Sequence, residues 1–132
     1  MMRRQCGCLG LLALALALPG CTRTVLNYDK SFKLDPGGEQ TATAEAVNKD
    51  QKIKVDVSAT GSKVDVYVFL EKDNSAAQEA IKAKKTGSPL LASAQDTQGT
   101  ILEAAVPAGN AAIVLVRNTS GKSADVRLKM TN

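Results

Sequence analysis

The sequence predicts an all-β chain: one antiparallel β-sandwich of jelly-roll or Greek-key type, about seven or eight strands, with one short surface helix inserted. Three observations predict it. Residues 52–57, 63–70 and 124–130 alternate apolar with polar or aromatic side chains at a period of two, the spacing that puts successive side chains on opposite faces of a strand. Glycine, proline and asparagine clusters separate these runs at short, fairly regular intervals, as in sandwiches. A single stretch, residues 74–85, has helical rather than strand character.

The elements follow in order. Residues 26–34 and 41–47 are the first two expected strands. Asp35-Pro36-Gly37-Gly38 lies between them; proline at the second position and glycine at the third specify a type II turn. In 52–57, Ile53, Val55 and Val57 point inward while Lys52, Lys54 and Asp56 face water. In 63–70, Val64, Val66, Val68 and Leu70 point one way, Asp65, Tyr67 and Phe69 the other. The 58–62 link contains Gly61 and reads as a hairpin turn. NSAAQEAIKAKK at 74–85 offers Ser75 and Gln78 as a capping box, and Lys82, Lys84 and Lys85 suit the negative end of the helix dipole. Its apolar stripe is thin, so it is expected to lie over Tyr67 and Phe69. Strands are expected at 90–94 and 100–106, and Pro107-Ala108-Gly109-Asn110 punctuates the way into 111–117. Ile113 to Val116 is continuously apolar, which predicts a central strand covered on both faces. Asn118 to Lys122 reads as a polar hairpin tip leading to the last strand, 124–130.

The first 21 residues form a different object. Arg3 and Arg4 precede an apolar run, Leu9 to Leu18, that is ten residues long. This is too short to span a bilayer, which takes about 20 residues, and has the length of a secretory h-region. The run ends Leu18-Pro19-Gly20-Cys21, which resembles the lipobox of bacterial lipoproteins. That resemblance implies cleavage between Gly20 and Cys21, a diacylglyceryl thioether on Cys21, and an acyl chain such as palmitate on the new amine. Leu18, Gly20 and Cys21 match the pattern; Pro19 departs from it. Thr22, where aspartate would retain a lipoprotein in the inner membrane, implies an outer-membrane address. The alternative is an ordinary secretory leader cut near Ala15–Ala17, leaving Cys21 as a lone thiol. The expected organisation is therefore residues 1–20 as signal peptide, 21–25 as a lipidated tether and 26–132 as the sandwich. Two or more acyl chains hold a domain at a membrane without a spanning helix.

Gly61-Ser62-Lys63-Val64-Asp65-Val66-Tyr67-Val68, together with Val106-Pro107-Ala108-Gly109-Asn110 and the strand after it, is similar to bacterial pre-peptidase C-terminal (PPC-like) domains. In that pattern an aromatic stands where this chain has Ala111 or Ala112. The resemblance implies a jelly-roll-like sandwich that accompanies secreted enzymes without being catalytic.

Composition narrows the chemistry. Of 132 residues none is histidine or tryptophan, and the aromatics are Tyr28, Phe32, Tyr67 and Phe69. No histidine means no Ser-His-Asp triad and no histidine metal ligand. Four aromatics with no basic stripe argue against nucleic-acid stacking platforms. The formal charge of +4 falls to +2 once Arg3 and Arg4 leave, another argument against a nucleic-acid partner. No G-x-S-x-G, S-x-x-K or C-x-x-C motif occurs after residue 20. Asp56 and Asp65, if on neighbouring strands, would make at most a weak calcium site; solvated acids are the simpler reading. Lys82, Lys84 and Lys85 could meet anionic lipid headgroups or simply be solvated.

The expected function is a membrane-anchored envelope lipoprotein, not an enzyme. It has no cofactor and no small-molecule substrate that the residues identify, and binds a protein or an envelope polymer. The alternative is a structural accessory subunit of a larger envelope or secretion assembly. A small secreted hydrolase is the remote third reading.

Overall fold

The computed structural model describes residues 25–132. The expected leader, its cleavage site at Gly20 and the expected lipid carrier Cys21 lie outside the described residues. Eight strands are described: β1 (Asn27–Leu34), β2 (Glu39–Ala44), β3 (Gln51–Thr60), β4 (Val64–Leu70), β5 (Leu90–Thr97), β6 (Gly99–Val106), β7 (Ala112–Arg117) and β8 (Ala124–Thr131). They form two antiparallel four-stranded sheets, ordered β1-β8-β3-β6 and β2-β7-β4-β5. The pairs β1–β8, β2–β7, β3–β6 and β4–β5 nest inside one another and alternate between the sheets. A long folded hairpin rolled into a sandwich has this order, which is the jelly-roll wind. The expected all-β sandwich is the observed fold.

The faces follow the alternation. Ile53, Val55, Val57 and Ala59 of β3 fill the space between the sheets, with Val64, Val66, Val68 and Leu70 of β4 opposite. Ala124, Val126, Leu128 and Met130 of β8 complete the layer, while Asp125, Arg127, Lys129 and Thr131 face water. Burial of this valine-rich layer is the main driving force for the fold. Lys30 stands opposite Leu128 in register, so it lies on the inner face of edge strand β1, yet it stays exposed. A charge placed there discourages addition of a further strand. At the other edge of the same sheet, β6 shows Ile101 at 59 % exposure.

A second, smaller cluster lies outside the sandwich. Helix α1 (Asn74–Lys82), entered through a 3₁₀ turn at Glu71–Asp73, lays Ala77 and Ile81 over Tyr67, Phe69, Leu90 and Leu115. The helix covers Tyr67 and Phe69 as expected, and β7 is sandwiched on both faces. The expected capping box is absent: Asp73 is the N-cap without a side-chain bond, and Gln78 Nε2 donates to Asn74 Oδ1 at 3.3 Å instead. The preceding 3₁₀ turn moves the helix start one residue ahead of Ser75. At its far end Lys84 N–H donates to Ile81 O and Lys85 N–H to Ala80 O, a Schellman closure. Lys84 takes the left-handed position, φ 56°, and the helix stops three residues before the expected 85.

Two expected hairpins are corrected. The 58–62 link joins β3 in one sheet to β4 in the other, and the 118–122 link carries β7 across to β8. Both are corners between sheets, so Asp56 and Asp65 are in different sheets and cannot form the imagined pair. The Asp35–Gly38 turn stands as expected, with Gly38 N–H donating to Asp35 O at 2.8 Å and Gly37 at φ 78°.

Two glycines make a sharp comparison. Gly61 has φ 87°, and a Cβ there would meet the Ser123 carbonyl oxygen at 2.9 Å; Gly37 has φ 78° with nothing within 4 Å. Gly37→Ala is expected to cost about 1–2 kcal/mol from backbone strain alone. Gly61→Ala adds a backbone clash at a sheet corner and is expected to cost about 1–3 kcal/mol more. Urea melts of the two variants check the difference; equal costs would mean that the corner yields.

Candidate functional site

The strand registers define two ends of the sandwich. Asn27, the β2–β3 loop, the β6–β7 turn and Thr131 share one end, tied together by Leu26 N–H to Asn132 Oδ1 at 3.0 Å and Asn132 Nδ2 to Gln51 Oε1 at 3.2 Å. The β1–β2 turn and the 58–62 and 118–122 corners share the other end. An eight-residue strand separates the ends by about 25 Å. Helix α1 starts beside the first end, after Leu70, and finishes near the second.

Where α1 finishes, a cleft of about 360 Å³ opens on the outer face of the β2-β7-β4-β5 sheet. It is lined by Asp65 and Tyr67 of β4, Gln95 and Asp96 of the neighbouring β5, Arg117 of β7 on the other side of β4, Thr119 just beyond it, and Ile81, Lys82 and Lys84 at the end of α1. The β4–β5 register shifts between Val64 and Val66; this irregularity rotates the strand and re-aims side chains. Asp96 has φ 55°. Lys84 and Asp96, the non-glycine residues with positive φ among the described residues, therefore both stand in this cleft. Strained backbone of this kind concentrates at binding sites.

Most of the cleft's charge is already engaged. Asp65 Oδ1 accepts from Asp96 N–H at 2.7 Å, and Asp65 Oδ2 accepts from the Tyr67 hydroxyl at 3.3 Å. Gln95 Nε2 donates to the Tyr67 oxygen at 3.4 Å. Burial, reinforced by the Asp65 charge, pushes the Tyr67 phenol above its ordinary value. The phenol is thus a settled donor rather than a base near neutral pH. The stability it lends is lost as pH rises through and above the ordinary tyrosine range, because the unfolded chain ionises first. Arg117 donates through Nε and Nη2 to Glu39 Oε2 at 3.0 and 2.8 Å. Asp96 meets Lys63 at 3.9 Å, an exposed pair of little energetic weight.

Lys82 and Lys84 make no ion pair among the described residues. The cleft thus offers two ammonium groups without an ion pair, beside the Thr119 hydroxyl. This set suits an anionic carboxylate or phosphate group. Sequence alone placed the helix over Tyr67 and singled out Lys82 and Lys84, but carried no signal that Asp65, Gln95, Asp96, Arg117 and Thr119 stand beside them.

The outer face of the other sheet carries a wider, shallower hollow lined by Ser31, Ser58, Thr60, Asp125 and Arg127. Arg127 is committed there to Asp29, Nε to Oδ1 at 3.1 Å and Nη2 to Oδ2 at 2.9 Å. The guanidinium holds the Asp29 carboxyl below its ordinary value. Among the described residues no three His, Cys, Asp or Glu side chains gather as a metal would require, and no helix is long and apolar enough to cross a membrane. No family model and no curated protein matches the chain.

Proposed function

We propose that this is a lipid-anchored bacterial envelope protein. Cys21 carries the lipid after cleavage behind Gly20, and the jelly-roll domain binds an anionic group of an envelope polymer or protein partner without catalysing a reaction. The observation that carries the binding role is the cleft at the end of α1, into which Lys82 and Lys84 bring charge that no ion pair among the described residues engages. It lies at the end of the domain away from residue 25, where a membrane-tethered domain has its open side. The outer-membrane address rests on Thr22, and the PPC-like kinship on the two motifs described above; both belong to this proposal.

The edge of β6 favours a second reading, an accessory subunit. It exposes Ile101 and carries one charged residue, Glu103, in eight positions, so it is a poorly defended edge to which another chain could add a strand.

The anchor is tested by the mass of the mature N-terminus, with Cys21→Ser as control; an unmodified chain starting before residue 21 removes it. The binding role is tested with photo-crosslinking side chains at Thr119, in the cleft, at Lys54, on the opposite sheet, and at Glu103, on the β6 edge. An adduct specific to Thr119 supports the cleft, and its digestion by protease or by glycan hydrolase separates protein from polymer. An adduct specific to Glu103 supports the accessory reading instead. Lys84→Gly relieves the left-handed strain and is expected to stabilise the fold by about 1 kcal/mol while weakening the Thr119 adduct. A Thr119 adduct undiminished in Lys84→Gly overturns the role given to the lysine.

A further inference from the structure

At the end opposite the cleft, Val25 is 72 % exposed. It borders a small pocket of about 140 Å³ whose apolar surface comes from Leu26, Ala44 and Val47, with Glu45, Gln51 and Asn132 at its polar side. Ala46, Pro107 and Ala108 are exposed beside it. The two loops that carry these residues are bound into one surface: Gly109 N–H donates to Val47 O at 2.7 Å, and Ala108 N–H donates to Asp50 Oδ1 at 2.9 Å. The second bond turns the Asp50 charge toward the β6–β7 turn. With Glu45 and Lys49 the β2–β3 loop carries two acids and one lysine, a small net negative charge.

Chain length says what this surface faces. Four peptide steps separate Cys21 from Val25, a reach of at most about 14 Å. The hydrogen bond from Leu26 N–H to Asn132 Oδ1 fixes the chain where the tether joins the domain. A domain held so closely by a lipidated Cys21 has this end, and no other, within reach of the bilayer.

We propose that the surface formed by Val25, Ala46, Val47, Pro107 and Ala108 docks on the phospholipid bilayer and fixes the domain upright, with the α1 cleft directed away from the membrane. The inference rests on the lipid anchor proposed above. Apolar groups beside a small net negative charge need no anionic lipid, so docking is expected on zwitterionic phosphatidylcholine and is insensitive to salt.

The test uses the lipidated protein in phosphatidylcholine proteoliposomes. With Cys6 and Cys8 removed alongside the leader and Cys21 acylated, a cysteine introduced by Ala46→Cys or Lys122→Cys is the sole free thiol and takes a nitroxide label. The expected result is loss of access to an aqueous nickel reagent, with gain of access to dissolved oxygen, at position 46 but not at 122. Val25→Asp, a change at an exposed site that leaves the core untouched, is expected to return position 46 to water. A protein that pellets with the vesicles but shows both labels equally in water overturns docking and leaves the anchor standing. A protein that does not pellet overturns the anchor, and this inference with it.

Discussion

Asn118→Ala is expected to lower the stability of the domain by about 2–4 kcal/mol, the cost of leaving several buried backbone groups without partners. Asn118 is fully buried. Its amide donates to Leu34 O at 3.1 Å, Asp35 O at 3.4 Å and Lys122 O at 2.6 Å. Its carbonyl oxygen accepts from Ser120 N–H at 3.0 Å and the Ser120 hydroxyl at 2.8 Å. Its own backbone N–H reaches Gly38 O, and its backbone carbonyl accepts from Gly37 N–H. Ser120 continues the network to Ser62 in the β3–β4 corner. One side chain therefore ties together three connections between the sheets. Asn118→Asp is a sharper probe, since it keeps the acceptor and replaces the donor with a carboxylate facing carbonyl oxygens. That carboxyl is expected to titrate above its ordinary value when folded. The variant's deficit relative to wild type should then grow as pH rises from about 4 to 8, because the unfolded chain loses its proton first. Urea melts at several pH values measure it; a deficit independent of pH would mean that the corner opens to water.

This residue also shows where the sequence stops being legible. Asn-Thr-Ser-Gly-Lys has the composition of a solvated turn and reads as a hairpin tip. Yet Ala112, Val114 and Val116 point inward, and Asn118 continues their phase. Alternation carried two positions further would have flagged it. Side-chain faces were readable throughout, because period two is a local property: Val64, Val66 and Val68 inward and Tyr67 and Phe69 outward follow from the string alone. Strand partners were not. A link of three to five residues can close a hairpin or cross between sheets, and which it does depends on distant strands. Pairing of β1 with β8 and β2 with β7 spans most of the domain and leaves no local mark. The cleft was invisible for the same reason. Lys82 and Lys84 belong to the helix, Asp65 and Tyr67 to β4 and Thr119 to a corner, and only the docked helix brings them together. Asp96 in the left-handed region had no signal, since glycine is the residue that normally announces that conformation. Cys21 is the converse case, a candidate read wholly from a short motif.

Phe69→Ala is the second large effect, expected at about 3–5 kcal/mol. Phe69 is the largest fully buried side chain of the domain, and it belongs to the cluster under the helix rather than to the layer between the sheets. Its strand, β4, is interior, hydrogen-bonded to β5 and β7. A cavity there weakens the sheet and the helix seat together. Ile81→Ala removes the facing helix side chain and is expected to act differently. A nine-residue helix is not stable alone in water, so α1 persists only while docked. Its undocking can proceed as a local opening that leaves the sandwich intact. Hydrogen exchange should then show residues 74–82 losing protection in Ile81→Ala while β3 and β8 keep theirs. In Phe69→Ala all these elements should lose protection as global stability falls. The double variant should cost less than the sum, because the two side chains share one cavity. Additive costs, or helix amides that exchange at the rate of β3 amides in Ile81→Ala, would show that the helix is an integral part of the sandwich. The lysine cleft, which exists only while α1 is seated, would then be as rigid as the core; with local opening it is instead lost and regained whenever the helix lifts.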